Sequence, residues 1–195
     1  MGAAVDLHSH TTASDGTLAP RELVRLAVRH GVRVLGVTDH DSTSGVREAM
    51  DEAQRLAALE IIPGLEINCD VPGAEIHVLG YCMDWRAPWF QDFLREQRAE
   101  RVARVHRIVD RLTELGLPLT ADEVFAVCKE GSPGRPHVAQ AMIARGYVKS
   151  ALGDPTPERG GKRKRIYRLR PTGEAALRAA QSALEKMARL ARLKV

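Results

Sequence analysis

The sequence predicts an α/β fold: a parallel sheet carrying helices, then an all-helical block, then a basic tail. Three observations carry this. Short apolar runs alternate with amphipathic helical stretches over residues 5–81. After Trp85 the alternation gives way to helical periodicity. Charge then splits, with 17 Lys+Arg against 21 Asp+Glu in residues 1–150 and 12 against 4 in residues 151–195. An acidic body joined to a basic tail suggests two parts with different partners, 1–150 and 151–195.

Taken in order, Val5-Asp6-Leu7 is a short strand that leads into His8-Ser9-His10. A turn-like stretch from Thr11 to Ala19 contains Asp15-Gly16. Pro20 opens an amphipathic helix with Leu23, Leu26 and Ala27 on one face, and Gly31 stops it. Residues 32–37 form a second strand that closes on Thr38-Asp39-His40-Asp41, and a helix over about 43–58 comes next. Residues 61–67 and 75–81 are the third and fourth strands.

Residues 88–115 read as one long, Arg-rich helix ended by Gly116. Thr120-Ala121-Asp122-Glu123 is a capping box opening a shorter helix, and Gly134-Arg135-Pro136-His137 opens another that runs to about Arg145. This block, 86–148, reads as a helical insertion. A Pro/Gly-rich linker covers 153–161, the run 162–169 is a basic strand, and Pro171-Thr172-Gly173 introduces a last helix. Leu177, Ala180, Leu184, Met187 and Ala191 recur along it near heptad spacing.

Composition removes several classes. At 195 residues the chain can bury a core. No apolar run approaches the roughly 18–20 residues of a membrane span, so no membrane partner is expected. Met1 to Asp6 lacks a basic region and a long apolar region, and so does not read as a secretory signal. Cys69, Cys82 and Cys128 are odd in number and lack metal-ligand spacing. Reduced thiols of a cytoplasmic protein are expected.

The chemistry lies in an ordered series: His8, His10, Asp15, His40, Glu66 and His77. Four of the seven histidines belong to it. Each ligand or pair sits in or beside a predicted strand, which is how a site is built at one end of a parallel sheet. The two imidazoles of His8-x-His10 share a face because side chains two apart point the same way. Asp15 can reach back from its loop, and Glu66 can bridge two ions. Imidazole with carboxylate suits divalent Zn, Mn and Fe. His30 and His106 lie in helices away from any strand end and read as surface residues.

The stretch Asp6-Leu7-His8-Ser9-His10-Thr11-Thr12-Ala13-Ser14-Asp15-Gly16 resembles the opening motif of the PHP (polymerase and histidinol phosphatase) superfamily. So do Gly36-Val37-Thr38-Asp39-His40-Asp41 with Thr43, Pro63-Gly64-Leu65-Glu66-Ile67, and Ile76-His77-Val78-Leu79-Gly80-Tyr81. Within that superfamily the chain looks most like the TrpH branch, whose helical insertion and Gly-Arg-Pro-His helix start match here at Arg135 and His137. The resemblance covers about residues 4–148. It implies a distorted (β/α)7 barrel, here partial, with up to three divalent ions drawn from Mn2+, Zn2+, Fe2+ and Mg2+. It further implies hydrolysis of phosphate monoesters, on nucleoside 3′,5′-bisphosphates or the 5′ end of short RNA. Carried over, His8, His10 and Glu66 hold one ion, Asp15 and His40 help hold a second, and Glu66 with His77 a third. Arg135 clamps phosphate, and His137 contacts it or protonates the leaving group.

The family pattern continues with a further His and a late Asp-x-His pair, and no histidine comes after His137 here. The expectation is a C-terminally shortened barrel with fewer ions and reduced turnover. The tail, about residues 147–190, resembles the wing and C-terminal helix of PadR-type winged-helix regulators. That implies a weak nucleic-acid contact through 162–170 and a dimer through the last helix. The leading reading is thus a metal-dependent phosphoesterase. Its rival is a nucleic-acid-binding regulator fragment fused to a vestigial PHP domain.

Overall fold

Four strands form one sheet in the order β1-β2-β3-β4: β1 (Val5–Asp6), β2 (Val34–Val37), β3 (Glu60–Val71) and β4 (Ala74–Tyr81). The structure is a computed structural model that describes residues 4–71, 74–129, 131–155 and 163–192. Helices α1 (Pro20–Arg29) and α2 (Val46–Leu56) connect the first three strands, which run parallel. The sheet is thus an α/β half-barrel. Its core is Val24 and Ala27 of α1, Ala49 and Ala53 of α2, and Leu35, Val37 and Ile61 of the strands.

Val24 rather than Leu26 centres the buried face of α1, because Pro20, Val24 and Ala27 point inward together. Pro20 sits at the first helical position, where its missing N–H costs nothing, and the Ala19 amide donates to Glu22 Oε2 at 2.9 Å.

Two expectations fail at the third strand. It runs on past residue 67 to Val71, and β4 pairs with it antiparallel, Gly64 opposite Tyr81 through Val71 opposite Ala74. Only two residues separate the strands, and a parallel return needs a crossover of about a dozen. Ile76 and Val78 on β4 and Val5 and Leu7 on the opposite edge are about half exposed.

The chain packs as two compact units, Met1–Ala103 with Cys128–Gly134, and Arg104–Val127 with Arg135–Val195. This division follows packing, whereas the one at residue 150 follows charge and composition. Helix α3 (Pro88–Glu114) contributes Phe90 and Leu94 to the first unit, packed with Leu65, Ile67 and Met83. In the second unit Val105 and Val109 of α3 join Leu119, Val124 of α4 (Ala121–Cys128), and Val138 and Ala141 of α5 (Arg135–Ala144). The capping box forms: the Thr120 amide donates to Glu123 Oε2 at 2.8 Å, and the Glu123 amide donates to Thr120 Oγ1 at 3.3 Å.

Residues that the sequence leaves unassigned or gives to a linker form β5 (Val148–Pro155), paired antiparallel with β6 (Arg163–Leu169). Lys162 and most of the expected linker lie outside the described residues. Helix α6 (Pro171–Arg192) packs its Ala176 and Ala180 near Gly116. The side chains of Leu184 and Met187 lie outside what is described. Among the described residues no helix is long and apolar enough to cross a membrane, and the three cysteines are free thiols.

Candidate metal centre

The site is assembled just past the carboxyl ends of the parallel strands β1 and β2, the usual place in such sheets, and from within β3 and the antiparallel β4. After β1, His8 and His10 bring their imidazoles together while Ser9 between them is buried. Ser9 is held through both its backbone and its side chain. Its Oγ donates to the Gly36 carbonyl at 2.5 Å, its amide donates to Thr38 Oγ1 at 3.1 Å, and the Thr38 amide donates back to its carbonyl at 2.9 Å. Gly36 permits this approach: a Cβ there would lie 2.6 Å from the Leu7 carbonyl oxygen. His40 lies just beyond β2 and forms a parallel bridge with Glu66. Glu66 lies in β3, where its amide donates to the Asp39 carbonyl at 3.1 Å and its carbonyl accepts from the Asp41 amide at 3.0 Å. His77 comes from β4, and Asp15 from the loop between β1 and α1.

The structure brings all six of these side chains together, in three overlapping groups. His8 Nε2, His10 Nε2 and Glu66 Oε2 form a triangle with sides of 3.0 Å. His10 Nδ1 lies 3.4 Å from Asp15 Oδ1, and His40 Nε2 lies 3.7 Å from Asp15 Oδ2. His77 Nδ1 lies 2.7 Å from Glu66 Oε1, while His40 Nδ1 is 3.6 Å from Glu66 Oε2. Within each group the ligand atoms lie within 4.8 Å of one another. His10 therefore borders two groups, and so does His40, a sharing that the carry-over by motif did not give.

These positions fit divalent ions on two counts. Donors bound at about 2.0–2.2 Å and at right angles to one another are about 2.8–3.1 Å apart, which the triangle matches. And His40 Nδ1 is buried with no hydrogen-bond partner, a lone pair or N–H that an ion or ligand would satisfy. Burial holds the His40 imidazole down at about 4, with Arg101 and His10 adding to the depression against the pull of Asp15 and Glu66. It is therefore neutral at pH 7, the form that ligates. Burial pushes the Glu66 carboxyl up, but hydrogen bonds from His8 and His77 and the nearby His40 and His10 outweigh it and hold it low.

Two buried carboxylates that the motifs leave without a role organise this centre. Asp39, 1% exposed, accepts from the Thr11 amide and Thr11 Oγ1, both at 2.7 Å, and from Ser14 Oγ at 2.6 Å. It thereby pins the loop that carries Asp15. Asp41 takes a left-handed backbone, φ 46°, and forms a buried ion pair with Arg101 of α3. Arg101 also donates to the Pro133 carbonyl at 3.4 Å, and the Ser132 amide donates to the Ala13 carbonyl at 2.9 Å. Sequence spacing could not find such partners, because 60 residues separate Asp41 from Arg101.

Arg135 opens α5 and His137 is buried in its first turn, both in the second unit. His30 caps α1 and His106 lies on α3 with its ring 5.7 Å from that of Phe125. Both are exposed.

A family model for the PHP domain matches residues 6–187. The chain belongs to the PHP domain family. Within it, the 5′-3′ exoribonuclease Rnm of Salmonella typhimurium is 39% identical over 156 residues, covering 75% of this chain and 53% of that protein. A 3′,5′-nucleoside bisphosphate phosphatase of Chromobacterium violaceum is 29% identical over 148 residues, 75% of this chain and 52% of that one. Among solved structures, a Bifidobacterium adolescentis protein described as a metal-dependent phosphoesterase superposes with a TM-score of 0.67 at 34% identity, over 73% of this chain and 50% of that one. The chain spans about half the length of the curated PHP relatives it matches.

Proposed function

We propose that this PHP chain is a metal-dependent phosphoesterase acting on phosphate monoesters of nucleotides, either the 5′ end of short RNA or a nucleoside 3′,5′-bisphosphate. The observation that carries the reading is the Glu66 carboxylate. Its Oε2 faces His8, His10 and His40, and its Oε1 faces His77. A buried carboxylate with imidazoles on both oxygens is arranged to bridge neighbouring cations. His8, His10 and Glu66 would hold one ion, Asp15 and His40 would help hold a second, and Glu66 with His77 a third. Such ions supply Lewis acidity toward a phosphoryl group. Mn2+, Zn2+, Fe2+ and Mg2+ all suit a donor set of imidazole and carboxylate.

The chain's own residues do the rest. Asp39 and the Asp41–Arg101 pair hold the ligand loops at fixed spacing, and small misplacement costs orders of magnitude in rate. Arg135 and His137 are assigned to the substrate phosphate, Arg135 as a bidentate clamp and His137 as a contact or proton donor. A weaker contact to nucleic acid runs through β6, where Arg165, Arg168 and Arg170 lie exposed on or just after the strand.

The test is turnover. Metal-loaded protein should release product from a 5′-phosphorylated oligoribonucleotide and phosphate from a nucleoside 3′,5′-bisphosphate, and Glu66→Gln should abolish both. Arg135→Ala should raise KM more than it lowers kcat. If Glu66→Gln keeps wild-type turnover, the reading is wrong.

A further inference from the structure

A cleft opens beside the candidate metal cluster, wholly within the first unit. Ser42, Thr43 and Ser44, the residues between the Asp41 turn and α2, form one wall, and Gln91, Arg95 and Arg98 of α3 form the other. Its volume is about 240 Å3. Asp41 also borders it and is the residue next after His40, so the cleft begins one residue from the cluster.

The lining chemistry is that of an anion site. Asp41 is the acidic group in the wall, and its charge is already met by Arg101. Arg95 and Arg98 are exposed along the cleft one turn apart on α3, so their guanidinium groups can converge on one ligand. The Arg95 guanidinium pairs with Asp92 at 2.9 Å, on the surface where such a pair is weak and exchangeable. Ser42 Oγ and Ser44 Oγ lie 2.9 Å apart, so one of the two hydroxyls has its proton left to donate outward. Gln91 fixes the floor: its Nε2 donates to Thr43 Oγ1 at 3.0 Å and to the Trp85 carbonyl at 2.5 Å. Leu94, 5% exposed, closes the base with an apolar surface.

The geometry points to a binding site for a backbone phosphate of an oligoribonucleotide, the one after the nucleotide held at the metal cluster, gripped by Arg95, Arg98 and the Ser42–Ser44 hydroxyls. This deepens the phosphoesterase reading and rests on it for the placing of the first nucleotide. It selects a ligand with a phosphate on the 3′ side of its first nucleotide over a 5′-monophosphate, because a lone 5′-phosphate held at the cluster leaves the cleft empty. It also separates two roles: the cluster acts on one phosphate and the cleft recognises another.

The test is binding of the full chain to three probes by fluorescence anisotropy: a labelled 5′-phosphorylated tetraribonucleotide, a labelled nucleoside 3′,5′-bisphosphate and a labelled nucleoside 5′-monophosphate. Arg95→Ala with Arg98→Ala should weaken the tetranucleotide about tenfold, as loss of charge-assisted hydrogen bonds does. It should also flatten the log–log salt dependence by about 0.7, the value for one phosphate contact of a single strand. The affinity ratio of tetranucleotide to monophosphate should fall by the same factor. Both arginines are exposed, so the variant should fold, and Arg95→Glu with Arg98→Glu should weaken the tetranucleotide further. Equal weakening of all three probes, no weakening, or no tetranucleotide binding by the wild-type chain would overturn the proposal. An arginine-dependent loss confined to the bisphosphate would move the site to a second phosphate of a mononucleotide and overturn the chain-recognition claim. Turnover of an aryl phosphate is read separately. If the wild-type chain shows none but the tetranucleotide effect holds, the catalytic reading fails while the cleft stands.

Discussion

The loops that carry the candidate metal cluster and the basic β5–β6 hairpin make opposite use of charge. In the loops, charged and hydroxyl groups are buried and paired: Asp39 meets Thr11 and Ser14, and Asp41 meets Arg101. In the hairpin, Arg165 and Arg168 stand in solvent beside the exposed Ile166, Tyr167 and Leu169. A buried charge without its partner costs several kcal/mol, so the first arrangement admits one geometry. A solvated charge costs almost nothing to move, so the second offers attraction without precise position. The contrast teaches where each kind of function can sit. Chemistry that needs fixed ligand spacing belongs to the first region, and non-specific attraction to a phosphate backbone suits the second.

The largest expected effect comes from breaking the first arrangement. Arg101→Ala leaves the Asp41 carboxylate buried and unpaired, and should cost about 3–5 kcal/mol in a denaturant titration. Asp39→Ala strips three hydrogen bonds from Thr11 and Ser14 and should cost about 3 kcal/mol or more, while Asp39→Asn should recover part of that loss. A loss under about 1 kcal/mol for both alanine variants would erase the contrast.

The next effect sharpens it from the other side. Replacing Arg165, Arg168 and Arg170 together by Ala should change stability by less than about 0.5 kcal/mol per site. If the hairpin touches nucleic acid, the same variant should flatten the salt dependence of oligonucleotide binding by about 0.7 per lost contact. An unchanged slope would remove β6 from the interface.

The smallest effect is on pH dependence, and it compares a pair from each unit. The Glu52 carboxyl is held at about 2 by hydrogen bonds from Arg55 and Arg25, and the Glu123 carboxyl at about 2 by hydrogen bonds from Arg145 and from Thr120. Both values are depressed below the usual 4.5. Each pair therefore adds stability that is present above pH 4.5 and lost as pH falls toward 2. Thermal melts across that window should show a shallower fall for Glu52→Gln and Glu123→Gln than for the wild-type chain. Parallel curves would mean the pairs add nothing.

Much of this was legible in the sequence, for physical reasons that differ by element. His8-x-His10 and His40 could be placed just past strands, and Glu66 and His77 inside strands, because short apolar runs and helical spacing announce the elements around them. The capping box at Thr120 and Glu123 is local, and it formed as expected. Antiparallel β4 was missed because its direction depends on loop length and not on the residues of the strand. β5 was missed because Val148-Lys149-Ser150-Ala151 has little strand signal of its own and is made by pairing with β6. Asp39 and Asp41 stood in view within Thr38-Asp39-His40-Asp41, but their roles are set by partners 28 and 60 residues away.

The central claim is that His8, His10, Asp15, His40, Glu66 and His77 are a divalent-metal site. Its most direct test is elemental analysis of the purified chain, read beside circular dichroism. The expected result is at least one divalent ion per wild-type chain, and none in His8→Ala with His10→Ala, at unchanged helix content. A folded wild-type chain that takes up no ion from added Mn2+ or Zn2+, or a double variant that keeps its ion, would contradict it.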